Sequence, residues 1–236
     1  MKLDTEQARL EEIAGYFRTE EGFNGTLIRY GFRSLQPWLR GSCLELGSAD
    51  GVMTEHLLGA VDELVSVDGS QHYIDELRLR FAGVRFDCSL FETYEPGMQF
   101  DCIVATHILE HVDDPTAIAA RARQWIKPGG HFLVIVPNAH SFNRLMGTRM
   151  GMLADCHDLH AGDIAIGHRR VFDHDSMYAT LTAAGWDVEH MGGVMFKPVA
   201  NSQMGQWFDD QMIEACWKLG NEFPRNAADI LAVCRG

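Results

Sequence analysis

From residue 41 onward, short apolar runs alternate with longer amphipathic stretches. The runs Cys43-Leu44-Glu45-Leu46, Leu64-Val65-Ser66-Val67-Asp68, Val84-Arg85-Phe86-Asp87, Asp101-Cys102-Ile103-Val104-Ala105 and Phe132-Leu133-Val134-Ile135-Val136 are bounded by Gly, Asp or Pro and predict strands. Between them, residues 70–81 place Ile74, Leu77 and Phe81 at helical spacing behind Ser70, a predicted N-cap. Residues 115–126 follow Asp114 with Pro115 in the first helical position, where the missing N–H is not needed. Short buried strands joined by helices require right-handed crossovers. The pattern therefore predicts an α/β fold, doubly wound, with a mostly parallel sheet and helices on both faces.

The flanks read differently. Residues 1–40 are polar and helical in character, with Tyr16, Phe17, Phe23 and Trp38 scattered through them. They fit either a lid over the site or helices packed outside the sheet. Residues 41–137 are expected to form the core that carries the binding site. Residues 138–170 lack clear periodicity and are long for a plain connection, which predicts an insertion that shapes the substrate pocket. In residues 171–236 an amphipathic stretch, Asp175 to Ala184, precedes the strand-like Trp186 to Glu189. A polar segment with Trp207, Phe208 and Trp217 follows, expected to be a helical insertion in this C-terminal part of the sheet. The chain closes on the apolar run Asp229 to Cys234, expected to pair as an antiparallel edge.

At 236 residues and 46% hydrophobic, the chain fills one core, which predicts a single domain over 1–236. The net charge of −13 repels phosphate backbones and argues against a nucleic-acid partner. No apolar run approaches the ~18 to 20 residues of a membrane span, so no membrane partner is expected. The N-terminus is acidic from Asp4 and lacks the apolar stretch of a secretory signal, so the cytoplasm is the expected location. Six cysteines without close paired spacing read as reduced core thiols, not as disulfides or a zinc cage.

Candidate chemistry begins at Glu45-Leu46-Gly47-Ser48-Ala49-Asp50-Gly51, which joins the first strand to a helix starting near Val52. Glycines at both ends let the backbone turn sharply and approach a ligand. Asp68, at the end of the second strand, is placed to accept hydrogen bonds from ribose hydroxyls. Together these predict an adenosine-binding site. A nicotinamide dinucleotide competes for it, but Ala49 stands between the glycines and no third Gly follows at the spacing of that motif. Glu45 suits a cofactor carrying an ammonium group better than one carrying a pyrophosphate.

Four further segments extend the pattern: Val67-Asp68-Gly69-Ser70, Phe86-Asp87-Cys88, the run from Phe100 to Val112, and Ile126-Lys127-Pro128-Gly129-Gly130. Across roughly residues 40 to 190 the chain resembles the class I S-adenosylmethionine-dependent methyltransferases. The resemblance implies a seven-stranded Rossmann-like sheet and S-adenosyl-L-methionine as cofactor. It places the methionine part at Gly47, Ser48 and Gly51, with Glu45 beside it. The ribose falls at Asp68 and Gly69, the adenine at Asp87 and Cys88, and a further contact at Thr106. Ala49 departs from the glycine usual in that family.

A sulfonium methyl is already electrophilic, so such an enzyme must chiefly align the acceptor and, for a hydroxyl, remove its proton. His107 and His111 directly follow the fourth strand, and His168 lies in Gly167-His168-Arg169-Arg170-Val171-Phe172. These three are the catalytic candidates. His107, Glu110 and His111 stand at i, i+3 and i+4, which on a helical turn puts three ligands on one face. That spacing resembles the Glu-x-x-Glu-His metal site of methyltransferases of ubiquinone biosynthesis and of small-RNA 3′ ends. The His in place of the first Glu lowers its affinity for hard cations, so the expectation is catalysis without metal, with that triplet as the alternative. Asp155, His157, Asp158 and His160 read as a solvated surface rather than a second metal cluster. Arg144, Arg149, Arg169 and Arg170 concentrate positive charge and suggest an anionic group on the substrate. The predicted activity is O- or N-methylation of a small polar metabolite, such as a sugar or natural-product intermediate. An oxidoreductase using a nicotinamide dinucleotide is the competitor.

Overall fold

The computed structural model describes residues 3–236. Its sheet has seven strands in the order β3-β2-β1-β4-β5-β7-β6. They are β1 (Ser42–Leu46), β2 (Glu63–Asp68), β3 (Arg85–Cys88), β4 (Phe100–Thr106), β5 (Ile126–Pro137), β6 (Asp187–Val194) and β7 (Asp229–Arg235). The first five run parallel. β7 is antiparallel to both β5 and β6.

The terminal strand is thus antiparallel, as expected, but it is not an edge. All of β7 except its last residue is buried, whereas the first five residues of β6 are exposed or half-buried. An all-apolar run such as Ile230 to Cys234 needs cover on both faces, so it takes the interior place and leaves the more polar strand outside.

The parallel strands are linked by α3 (Val52–Leu58), α4 (Gln71–Arg80) and α5 (Pro115–Trp125). The predicted caps are present: Ser70 accepts from the Tyr73 N–H at 3.4 Å and Asp114 from the Ala117 N–H at 2.9 Å. α5 and α8 (His174–Ala183) cover one sheet face, burying Ile118, Ala122, Met177 and Leu181 against Leu44, Ile103, Phe132 and Val134. The opposite face carries α2 (Asn24–Leu35), α3 and α10 (Asp210–Glu222), with Leu27, Leu57 and Ile213 packed with Cys43, Val104 and Leu133. At roughly 1.5 to 3 kcal/mol per fully buried large aliphatic or aromatic side chain, these two layers dominate the stabilisation. Cys43, Cys102, Cys216 and Cys234 are buried free thiols within them.

The remaining helices are α1 (Leu3–Ala14), α6 (Phe142–Arg149), α7 (Ala161–Ala165) and α9 (Asn201–Trp207). α1 lies across the open end of the sheet, where Glu11 accepts from the Ser70 hydroxyl at 2.9 Å and the Gln71 N–H at 2.6 Å. A carboxylate there satisfies free N–H groups at the start of α4 and faces the positive end of its dipole. No helix of the described residues is long and apolar enough to cross a membrane.

Candidate active site

Strand order reverses beside β1, between its neighbours β2 and β4, and at the carboxyl ends of these strands lies a cavity of about 830 Å³. Crevices at such a switch point are where doubly wound sheets bind ligands, and this one has room for a nucleoside cofactor and a small acceptor together.

One half of the cavity is built by the loops after β1, β2 and β3. The Gly47 N–H donates to the Val67 carbonyl at 2.8 Å, and the turn closes with the Gly51 N–H on the Ser48 carbonyl at 2.9 Å. Gly47 sits at φ +78, and a Cβ there would lie 2.1 Å from the Ile108 side chain. Ala49 takes φ +43 in the same turn. An L-residue in that region carries a penalty of about 1 to 2 kcal/mol, which a glycine here would avoid.

Asp68 joins two of these loops. Its carboxylate accepts from the Ala49 N–H at 3.1 Å and from the Ser70 N–H at 2.8 Å. Burial raises its pKa, and these N–H donors act in the opposite sense. Gly47, Ser48, Asp68, Gly69 and Thr106 all line the cavity.

Four predicted cofactor contacts lie elsewhere. Glu45 points beneath α3, where the Thr54 hydroxyl donates to it at 2.7 Å and burial raises its pKa to about 7. β1 alternates its side chains across the sheet, so Glu45 shares the face of Cys43 and reaches the layer under α3, whereas Leu44 and Leu46 point to the other face. Gly51 shapes the turn at φ +86 but does not line the cavity. Asp87 is held by the Tyr94 hydroxyl at 2.7 Å and paired with Arg85, also at 2.7 Å. Cys88 still pairs in register with Asp68. The chain enters the cavity only after leaving β3, so Ser89 and Leu90 line it in place of Asp87 and Cys88.

The other half of the cavity follows β4. Residues 107–112 form no helix, and His107 sits in the left-handed region at φ +56 with its N–H on the Ile135 carbonyl at 2.8 Å. The i, i+3, i+4 argument for His107, Glu110 and His111 therefore fails on its helical premise. His107 is instead bracketed by two buried carboxylates: Nδ1 is 3.4 Å from Glu110 and Nε2 is 3.9 Å from Asp229 at the start of β7. Burial opposes charge on the ring, but Asp229 and Glu110 outweigh it and hold its pKa up at about 9.

His111 is the opposite case. Burial, with only partial compensation from Glu110, lowers its pKa to about 4 and keeps the ring neutral. It meets His168 edge-on at 4.7 Å. His168 faces Asp163 at 3.4 Å and Glu110 at 4.0 Å. All three predicted histidines line the cavity. One ligand atom each from Glu110, His111 and His168 lies within 4.8 Å of the others, so the group that fits a cation replaces His107 by His168. Among the described residues neither Glu110 oxygen makes a well-formed hydrogen bond, its near partner being His107 Nδ1 at 3.4 Å, and its pKa is lowered despite burial by His107 and its neighbours.

Of the four arginines, Arg144 and Arg169 line the cavity, and Arg144, Arg169 and Arg170 are held by protein partners. Arg169 donates to the His111 carbonyl at 2.6 Å and to Glu6 at 2.8 Å, and Arg170 donates to the carbonyls of Leu109, Val112 and Asp113. Together they staple the turn that carries His107 and His111. Arg144 holds the Cys156 carbonyl at 2.5 Å and Asp163 at 3.2 Å, while Arg149 is exposed and outside the cavity. A cation that sequence reading missed, Lys197, lines the cavity with its Nζ donating to Asn201 at 2.6 Å. Burial lowers its pKa. Asp229 was also missed, because a charged residue opening an apolar strand reads as a boundary.

Residues 15–191 match the family model described as "Methyltransferase domain". Among curated relatives, the chain is similar to the ubiquinone biosynthesis O-methyltransferase of Parvibaculum lavamentivorans, at 24% identity over 80% of this chain and 79% of the relative. The enzyme of the same name from Azorhizobium caulinodans is 26% identical over 74% of this chain and 68% of the relative. Among solved structures, a DhpI-SAM-HEP complex superposes with a TM-score of 0.64 at 20% identity, covering 99% of this chain and 97% of the other. The N-methyltransferase NodS from Bradyrhizobium japonicum, in complex with S-adenosyl-L-homocysteine, gives 0.59 at 17% identity over 99% and 96%.

Proposed function

The chain belongs to the methyltransferase-domain family, matched over residues 15–191, and uses S-adenosylmethionine as cosubstrate; from that premise we propose that it methylates a hydroxyl of a small molecule, with His107 taking the acceptor proton. The observation that carries this reading is His107 held between Glu110 and Asp229 at one end of the cavity. The names of the two O-methyltransferase relatives agree with an oxygen acceptor.

Asp68 and Gly69 would hold the ribose, the Gly47-Ser48-Ala49 turn the methionine part, and Ser89 with Leu90 the adenine side. The cofactor supplies an electrophilic methyl group. The chain then has to orient the acceptor, exclude water and accept one proton. The His107 ring takes that proton in its neutral form, a minor species below its pKa of about 9, so the rate should rise with pH toward that value; Glu110 and Asp229 stabilise the imidazolium that then forms. Lys197 is placed to meet an anionic group on the acceptor, the role first given to the arginines.

A second reading is favoured by the Glu110, His111 and His168 cluster, with its neutral imidazole and its carboxylate that makes no well-formed hydrogen bond among the described residues. A divalent ion held there would lower the pKa of an acceptor hydroxyl. Methyl transfer to matched hydroxyl and amine acceptors, with and without a chelator, separates the readings. Hydroxyl methylation indifferent to chelator is expected. Activity on amines alone would overturn the oxygen acceptor, and loss with chelator restored by a divalent ion would favour the second reading.

A further inference from the structure

A second group of metal-ligating side chains lies outside the wall of the cavity. His140 follows β5, while Cys156 and His157 lie in the stretch without regular structure between α6 and α7. One ligand atom from each lies within 4.8 Å of the other two. The His140 and His157 rings stand 5.4 Å apart, nearly perpendicular at 78°. Cys156 Sγ is 3.5 Å from His157 Nδ1. A tetrahedral zinc site with bonds of ~2.0 Å to nitrogen and ~2.3 Å to sulfur has an N-to-S edge of about 3.5 Å.

Each ligand is on a fixed frame. The His140 N–H donates to Asn138 at 2.9 Å, and its carbonyl accepts from Asn226 at 3.0 Å. The Cys156 carbonyl is gripped by Arg144 at 2.5 Å. His157 Nε2 is 3.0 Å from Asp173, itself fixed as the N-cap of α8 by the Ser176 N–H at 2.7 Å. An imidazole that bonds a metal through one nitrogen commonly presents the other to a carboxylate, and Asp173 stands in that place; the Asp155 carboxylate, 2.9 Å from His157 Nδ1, is the contact that an ion at this nitrogen would displace.

We propose that His140, Cys156 and His157 bind a transition-metal ion of the zinc class. Two imidazoles and a thiolate favour such an ion over magnesium or calcium. His157 is exposed, which leaves a fourth corner to water. The ion ties the 150–160 loop to the segment after β5 and to the start of α8. Through Arg144 it braces the cavity wall. Cys156 is thus set apart from the buried core thiols, and His157 from the solvated surface expected of the insertion.

The test uses the untagged full chain. After loading with zinc and dialysis against metal-free buffer, about one thiolate-bound ion per chain is expected. With cobalt substituted, the thiolate-to-metal charge-transfer band should appear. Cys156→Ser should abolish that band, and both Cys156→Ser and His140→Ala should weaken zinc binding about tenfold or more. Glu110→Gln, which removes a ligand of the other cluster, should keep the band. Zinc should slow proteolysis within residues 150–160 of the wild type and not of the variants. Matching melting curves of wild type and variants in chelator make loss of binding a loss of ligands and not of fold. A wild type that retains no zinc, or a thiolate band that survives Cys156→Ser, overturns the site.

Discussion

Replacing Asp229 by Asn removes one of the two carboxylates that bracket His107 while keeping its shape. Unit charges 3.9 Å apart attract by about 4 kcal/mol at an effective dielectric of ~20, equivalent to about 3 pH units. Burial of the imidazolium opposes its charge, and Glu110 remains at 3.4 Å. The net fall in the His107 pKa is therefore expected to be about 1 to 2 units below the wild-type value, which lies at about 9. Histidine Cε1–H resonances followed by NMR against pH read this directly, with His107 assigned by its absence in His107→Gln. The linkage has a definite sign. His107 is raised above its ordinary 6.5, so its stabilisation is complete below that pH and is lost as pH rises through about 9. Thermal melts should show the wild type losing that contribution over this window. A wild-type His107 that titrates near 6.5, or one unmoved by Asp229→Asn, would refute the bracketed arrangement.

Asp68→Ala should weaken S-adenosylmethionine binding by at least about 1.5 kcal/mol, since it removes the proposed ribose acceptor and the carboxylate that joins two loops. Calorimetric titration checks this, and unchanged affinity would take Asp68 out of the site. Lys197→Met should raise KM for a carboxylate-bearing acceptor about tenfold with kcat nearly kept, the pattern of lost uniform binding. A KM unchanged across acidic and neutral acceptors would exclude Lys197 as an anion anchor.

The core was legible because its signals are local. Ser70 and Asp114 cap the helices expected of them, and the alternation of short apolar runs with helices yields the parallel strands β1 to β5. Glu45, Asp87 and Cys88 fall outside the cavity lining for a geometric reason. A strand sends successive side chains to opposite faces, and the residue that reaches a cavity at its end is set by where pairing stops. α9 and α10, between β6 and β7, lie in the stretch where a helical insertion was expected, but their bounds were not legible because only widely spaced residues such as Met204, Ile213 and Cys216 are buried. Asp229 meets His107 only through the antiparallel pairing of β7 beside β5, and Lys197 reaches the same cavity from the segment after β6, long-range placements that no local pattern records.

Acceptor activation by His107 is tested most directly by the transfer of labelled methyl from S-adenosylmethionine to small hydroxyl acceptors in wild type and His107→Ala, with cofactor affinity measured in parallel. A fall in kcat of roughly 10² to 10⁴, with the cofactor Kd nearly unchanged, is the expected result. Full activity of His107→Ala on an acceptor that the wild type methylates would contradict it.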